Sequence, residues 1–298
     1  VSITGSNGQG EEIPLTGISS AGWPAIVLQP GATGLDMPPV ELHSDDSPNL
    51  DGAIYRGSRA TSRLVLLPLY VYGIDRSSLR KFKRKLADAL NPKNGPCVLK
   101  FQESHGSPRT LTCYYTAGME GDESSDASGF TWTSYGIQLT AFDPWFYGQT
   151  AVGQSWAFGA EVPFLASPFL PLTLSSGTPV SGAATVTNNG DIEAWPIWTV
   201  TGPVRSIALT GPDGSSWAIP ANSDGTDVVP AGRTLTVDTR PGFKTLMDDQ
   251  GTNYWPQLGP NPSLWSIPEG TSQVQINAIA GDGEASVTMT LNPRYSTY

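Results

Sequence analysis

From Leu64 to Tyr72 the chain reads LVLLPLYVY, and both alternate sets of positions are largely apolar. Val65, Leu67, Leu69 and Val71 share one side; Leu64, Leu66, Tyr70 and Tyr72 share the other. A strand that is apolar on both faces is covered on both faces. In a small barrel one face meets the core, so the other must meet a helix or a second subunit. The helix that follows, RSSLRKFKRKLADALNP, is predicted over 77–90, with Asp75 or Ser77 capping its start and Asn91-Pro92 ending it. Leu79, Phe82, Leu86 and Leu90 recur at helical spacing and form its buried stripe.

A hairpin is predicted next, VLKFQESHGSPRTLT, with Cys97 and Cys113 placed symmetrically about His105. The strand FTWTSYGIQLTAF puts Tyr135, Ile137, Leu139 and Ala141 on one face, while Phe130 and Trp132 have the other parity, which predicts a bulge near Thr133–Ser134. It ends in AFDPWFYG at 141–148, where Phe142, Trp145, Phe146 and Tyr147 crowd about Pro144. A sugar platform, a core plug and a subunit contact each explain such a cluster.

Residues 149–182 read as a connection, because Pro163, Pro168, Pro171 and Pro179 bar a central strand. Their Phe164, Leu165, Phe169 and Leu170 predict a segment lying along a surface. From 183 to 298, strands recur at regular spacing between turns: ATVTNN, WPIWTVTG, SIALTG, SSWAIP, RTLTVDT, LWSIP, QVQINAIAG and ASVTMTLNP. Eight short strands without a helix predict a β-sandwich.

Composition supports a mainly β chain, since Gly (33) and Pro (26) are abundant and suit short strands joined by turns. No apolar run reaches the roughly 18 residues of a membrane span. Residues 1–150 carry 12 basic and 15 acidic side chains and residues 151–298 carry 5 and 12, so the net charge of −10 lies mostly in the second half. That argues against nucleic acid as its partner. Six of the 17 basic residues fall between 76 and 85, on the helix. With no second basic cluster to extend them into a groove, a solvated or subunit-facing helix side fits better than a nucleic-acid contact. Cys97 and Cys113 are expected to be free, half-buried thiols.

Candidate chemistry is sparse. No nucleophile elbow, phosphate loop, metal-protease helix or dinucleotide fingerprint is present, and no catalytic residue, metal site or cofactor is expected. His43 and His105 lack a readable partner constellation, and Asp122, Glu123 and Asp126 match no standard calcium loop. Asp191, Glu193, Asp248 and Asp249 are the carboxylates a glycosidase would draw on. Of the tryptophans in the second half, Trp217 and Trp265 have strand context and are expected in the core. Trp255, with Tyr254, lies in the loop DDQGTNYWPQLGP and is the candidate for stacking on a sugar face.

Three elements carry a family resemblance: the twin-apolar strand, helix ending LADALNP and hairpin that lead to AFDPWFYG; VTNNGDIEAWPIWTVTGP at 186–203; and the ending TLNPRYSTY. The order of parts resembles the distal tail (Dit) family of long-tailed, siphovirus-type bacteriophages from about residue 50 onward. The resemblance implies a tail-tube-like split β-barrel with one flanking helix over 1–148, then a galectin-like β-sandwich over 183–298. It further implies a homohexameric ring, with Leu64, Leu66, Tyr70 and Tyr72 as interface candidates, joining the tail-tube protein to the tail-tip hub. The aromatic cluster Phe142, Pro144, Trp145, Phe146 and Tyr147 would then close the barrel's end and seat the connection. The expected location is the virion tail tip, after synthesis in the host bacterial cytoplasm. A receptor-binding protein or a host cell-wall sugar is a further partner of some members. The alternative reading is a carbohydrate-binding host-adhesion module that uses the second domain.

Overall fold

In the computed structural model, residues other than 17–25, 47, 50, 103–105, 122–130, 149–151 and 159–179 are described. The chain divides into two units, residues 1–149 with 295–298, and residues 150–294.

The first unit contains β1 (Ser2–Thr4), β2 (Glu12–Pro14), β3 (Ile26–Leu28), β4 (Val40–Asp46), β5 (Ala53–Ala60), β6 (Arg63–Tyr72), α1 (Arg76–Leu90), β7 (Cys97–Phe101), β8 (Arg109–Ala117), β9 (Trp132–Ala141) and β10 (Phe146–Gly148). Its main sheet runs β2-β1-β7-β8-β9-β6-β3, with β10 on β8. Beyond the two end strands, Leu28 N–H donates to the Leu15 carbonyl at 2.8 Å, which brings the sheet back on itself as a nearly closed barrel. Val65, Leu67, Leu69 and Val71 point inward and meet Tyr135, Ile137, Leu139 and Ala141 from β9. Fully burying each aliphatic side chain of this kind stabilises by roughly 1.5–3 kcal/mol.

Pro68 is tolerated inside β6 because of where its backbone points. Its carbonyl accepts from Gln29 N–H, so the missing N–H faces the β3 side and leaves the β9 ladder intact. Asp75 is the N-cap of α1, its carboxylate accepting from Ser78 N–H at 2.6 Å. Leu79, Leu86, Ala89 and Leu90 join the barrel core and Phe82 is half-buried, while Arg80, Lys81 and Arg84 stay exposed.

The β9 bulge is not found where sequence parity placed it. β9 pairs with β6 without a shift from Trp132 to Ala141, and Thr133 is an inward residue. The irregularity is on β8, between Tyr115 and Ala117. Phe130 lies outside the described residues.

The second unit contains β11 (Val152–Phe158), β12 (Val180–Asn188), β13 (Ile197–Thr201), β14 (Val204–Thr210), β15 (Ser216–Ile219), β16 (Thr234–Asp238), β17 (Thr245–Asp248), β18 (Gly270–Ala280) and β19 (Ala285–Leu291). A five-stranded sheet, β11-β19-β13-β16-β17, and a four-stranded sheet, β12-β18-β14-β15, share one core, as in a sandwich. β18 shows the alternation that builds it: Val274, Ile276, Ala278 and Ala280 are buried between exposed neighbours. A last strand, β20 (Arg294–Tyr295), returns the chain to the first unit, where it pairs with β10.

Three expectations change here. LWSIP is not a strand: Leu264 and Trp265 are buried in the core from a loop, and Ile267 makes a single bridge to Ala194. TLMD at 245–248 is a strand the spacing did not reveal. The expected connection over 149–182 holds β11, which pairs along β19; its residues 159–179, with all four prolines, lie outside the described residues.

Candidate functional site

The outward side of β6 is only partly covered. Leu66 and Tyr70 are half-buried, Tyr72 is 37% exposed and Leu64 is 55% exposed. The cover comes from this chain's own residues. Thr33 and Leu66 form a bridge, and Tyr70 lies against Trp132 with ring centroids 5.5 Å apart. Gly34 makes the close approach possible: its φ is +80° and a Cβ there would fall 2.0 Å from the Leu64 carbonyl oxygen. The sheet register continues the uncovered surface sideways, since Leu64 pairs with Thr140 and Thr140 with Tyr114. Phe142 is 71% exposed and meets Tyr114 edge-on, with ring centroids 5.7 Å apart. Leu64, Tyr114 and Phe142 thus form an apolar patch on the outside of the barrel.

The motif AFDPWFYG therefore does two jobs. Phe142 keeps the outward parity of Gln138 and Thr140, so it does not close the barrel as expected. Asp143-Pro144 then turns the chain, and Phe146 enters the core with no exposed surface. Pro144 is buried, while Trp145 and Tyr147 are half-buried. Asp143 fixes the turn by accepting from the Tyr147 hydroxyl at 2.5 Å and Trp145 N–H at 3.4 Å.

The sequence reading missed the group that organises this turn. Arg63 is 1% exposed and lies under Phe146, its guanidinium carbon 4.8 Å from the ring centroid. It donates to the carbonyls of Pro144 at 2.9 Å, Gly34 at 2.9 Å and Ser296 at 2.8 Å, and also to that of Asp36. Burial lowers its pKa from the ordinary value, while Cys113 and Asp36 act in the opposite direction. Nearby, Arg109 donates to the Thr297 carbonyl at 2.6 Å and stacks on Tyr295 at 3.8 Å. Tyr298 packs on Phe101 at 4.8 Å. The signal available in sequence was parity: Arg63 has the inward register of Val65, Leu67 and Leu69.

The remaining candidates are structural or lie elsewhere. Cys97 and Cys113 sit directly opposite on β7 and β8 as free thiols, and both are fully buried rather than half-buried. Burial pushes the Cys97 thiol up to about 12 and the Cys113 thiol well above its usual value, so thiolate chemistry is suppressed. His43 is exposed on β4 opposite Gly57. His105, Asp122, Glu123 and Asp126 lie outside the described residues. Glu193 pairs with Arg294 at 3.1 Å. For Asp248, burial raises the pKa, but donors from Thr252, Arg233 and Gln250 outweigh it and hold the carboxyl below the usual range. Asp249 lies 3.8 Å from Arg233. Among the described residues no cluster of three or more His, Cys, Asp or Glu side chains forms a metal site, and no helix is long and apolar enough to cross a membrane.

Tyr254 is corrected from sugar contact to core: it is 3% exposed and its ring is part of the sandwich core, just before the turn Trp255–Gln257. Trp255 is 40% exposed and its N–H is tied to Asn253 Oδ1 at 3.0 Å. Trp217 and Trp265 are buried as expected, Trp217 from β15 but Trp265 from a loop.

The chain thus carries a nearly closed barrel, apolar on part of its outer face, and a two-sheet sandwich unit. Residues 29–115 match the family described as phage tail protein RIFT-related domain. No curated protein sequence matches the chain. Among solved structures, the chain is similar to the Dit protein of phage SPP1, described as a paradigm of the hub adsorption apparatus in phages that infect Gram-positive bacteria. That match has a TM-score of 0.62 at 13% identity and covers 98% of each chain. It is also similar to a chain of the phage p2 baseplate in its activated conformation with strontium, with a TM-score of 0.56 at 9% identity over 100% of this chain and 98% of that one. Residues 29–115 thus match a phage tail RIFT-related domain, and the chain as a whole has the fold of the SPP1 Dit protein.

Proposed function

We propose that this protein is a structural component of the phage tail tip, a distal tail protein of which six copies close into a ring between the tail tube and the hub. The carrying observation is the uncovered apolar outside of the barrel, Leu64 with Tyr114 and Phe142 beside it and Tyr72 at the far end of the strand. An apolar patch of this kind on a virion component is either buried by a partner or a liability. A heterologous contact between barrels, repeated by a rotation that closes, makes a ring. The solved proteins that share the fold are described as part of a phage hub adsorption apparatus and as a chain of a phage baseplate.

The test is assembly. Native mass spectrometry of the purified chain, alone and with its tail-tube protein, is expected to show a six-copy species. Leu64→Glu is expected to weaken it at least tenfold in the midpoint concentration, because it places a charge in a desolvated contact. An unchanged midpoint in the folded variant counts against this face.

A second reading rests on Trp255. Its exposed ring on a rigid turn fits stacking on a sugar face, so the second unit would add host cell-wall contact to the same adaptor. In a glycan array or a host-cell pull-down, Trp255→Ala is expected to abolish retention while leaving the melting temperature unchanged. Equal retention by both proteins rejects the reading.

A further inference from the structure

The hairpin β4–β5 stands apart from the barrel: its two strands pair only with each other. All of β4 and most of β5 are exposed. An isolated two-stranded ribbon is marginal in water unless something packs on it. Its side chains are partly sorted: Val40, Leu42 and Tyr55 share one face, which ends in Asp46, and the ion pairs lie on the other, which also carries Ile54. On one face Val40 lies opposite Ala60, Leu42 opposite Ser58 and Ser44 opposite Tyr55. On the other, Glu41 pairs with Arg59 at 2.8 Å and Asp45 with Arg56 at 2.6 Å. The register shift between His43 and Ser44 inserts Arg56 as an extra residue. That bulge moves Tyr55 onto the face of Val40 and Leu42 and leaves Arg56 to the charged face. Leu42 is 69% exposed and Tyr55 62% exposed.

We infer that the apolar face of this hairpin packs along the outward row of β6 on a second copy of the chain, a contact that deepens the ring reading and rests on it. Three observations select that occupant. First, the same unit offers the complementary surface, Leu64, Tyr114 and Phe142, with Tyr72 at the far end of the row. Second, the lengths agree: β5 spans roughly 23 Å, and the row from Leu64 to Tyr72 roughly 26 Å, at about 3.3 Å per residue. Third, the charges agree at one end. The hairpin tip carries Asp46 and Asp51, and the row leads through Gly73 into α1, where Arg80, Lys81 and Arg84 are exposed. None of these five has an ion-pair partner among the described residues. The hairpin's own β6 is excluded as the site by the link, since only Thr61 and Ser62 separate β5 from β6. The contact uses different surfaces on the two copies, so it is heterologous and propagates around a ring.

The experiment uses the full chain with p-benzoyl-phenylalanine placed at Tyr55, in a one-to-one mixture of unlabelled and ¹⁵N-labelled protein. Irradiation and peptide mass spectrometry are expected to give mixed-label products joining residue 55 to peptides within 64–84. Native mass spectrometry of the wild type runs in parallel. Asp46→Lys with Asp51→Lys is expected to raise the assembly midpoint about tenfold, and combining it with Arg80→Glu and Arg84→Glu to restore it. Assembled rings whose cross-links stay within one chain or fall elsewhere overturn this inference and leave the ring reading standing. Failure of the charge swap to restore assembly overturns it likewise. A wild-type chain that remains monomeric at millimolar concentration and gives no mixed-label product overturns both.

Discussion

Arg63→Met is expected to destabilise the first unit by about 3–5 kcal/mol, the scale seen when a buried charged group leaves its partners unsatisfied. The guanidinium bonds four carbonyls, from Gly34, Asp36, Pro144 and Ser296, drawn from segments far apart in sequence. Methionine fills much of the volume and supports the Phe146 ring, but it donates nothing. The four carbonyls then lose that donor at a position only 1% exposed to water. Arg63→Lys keeps the charge and loses the planar fork, so its cost is expected to fall in between. Calorimetry is the measurement: the transition assigned to the first unit drops by roughly 10 °C or more, while that of the second unit stays in place. Arg59→Met is the control, since Arg59 and Glu41 are both largely exposed and screened by water. Equal melting of the Arg63 variants and the control would show that the hub of hydrogen bonds is dispensable.

In the second unit the largest loss is expected at Trp198. It has no exposed surface and sits between two other indoles, 6.2 Å from Trp156 in a stacked arrangement and 5.6 Å from Trp265 edge-on. Trp198→Ala opens a cavity between the sheets and is expected to cost about 3–5 kcal/mol in urea or heat denaturation. Trp198→Phe separates area from polarity. The Trp198 indole N–H, like those of Trp217 and Trp265, is buried with no acceptor among the described residues. Phenylalanine loses ring area but also removes that unsatisfied donor, so its cost is expected to be under about 2 kcal/mol. A phenylalanine variant as damaged as the alanine variant would point to an acceptor for the indole N–H.

Legibility from sequence followed the range of the interaction. The helix cap, narrowed to Asp75 or Ser77, the β7–β8 pairing of Cys97 with Cys113, and the inward set of β6 all depend on neighbours or on a two-residue period. Failures came where the period stops being informative. LWSIP alternates like a strand, yet Trp265 is held by packing on Gly211, where a Cβ would fall 2.5 Å from the ring. Phe142 was grouped with Phe146 by proximity in sequence, although the Asp143-Pro144 turn sends the two rings to opposite sides of the sheet wall. Tyr254 and Trp255 were grouped in the same way and separate into core and surface. The amphipathic hairpin was hidden because its apolar face is assembled from two strands and a bulge.

Consecutive residues were enough to specify the β-rich composition, the amphipathic helix, the inward face of each long strand and a family-like order of parts. Local sterics and alternating burial write those features into consecutive residues. It took the folded chain to bring the carbonyls of distant segments to Arg63, to lay Thr33 and Gly34 over part of β6, and to leave Leu64, Tyr114, Phe142 and the hairpin face bare. Those outcomes depend on which strands become neighbours. Hydrogen bonds and packing between residues dozens to hundreds of positions apart have no period along the chain from which they could be read.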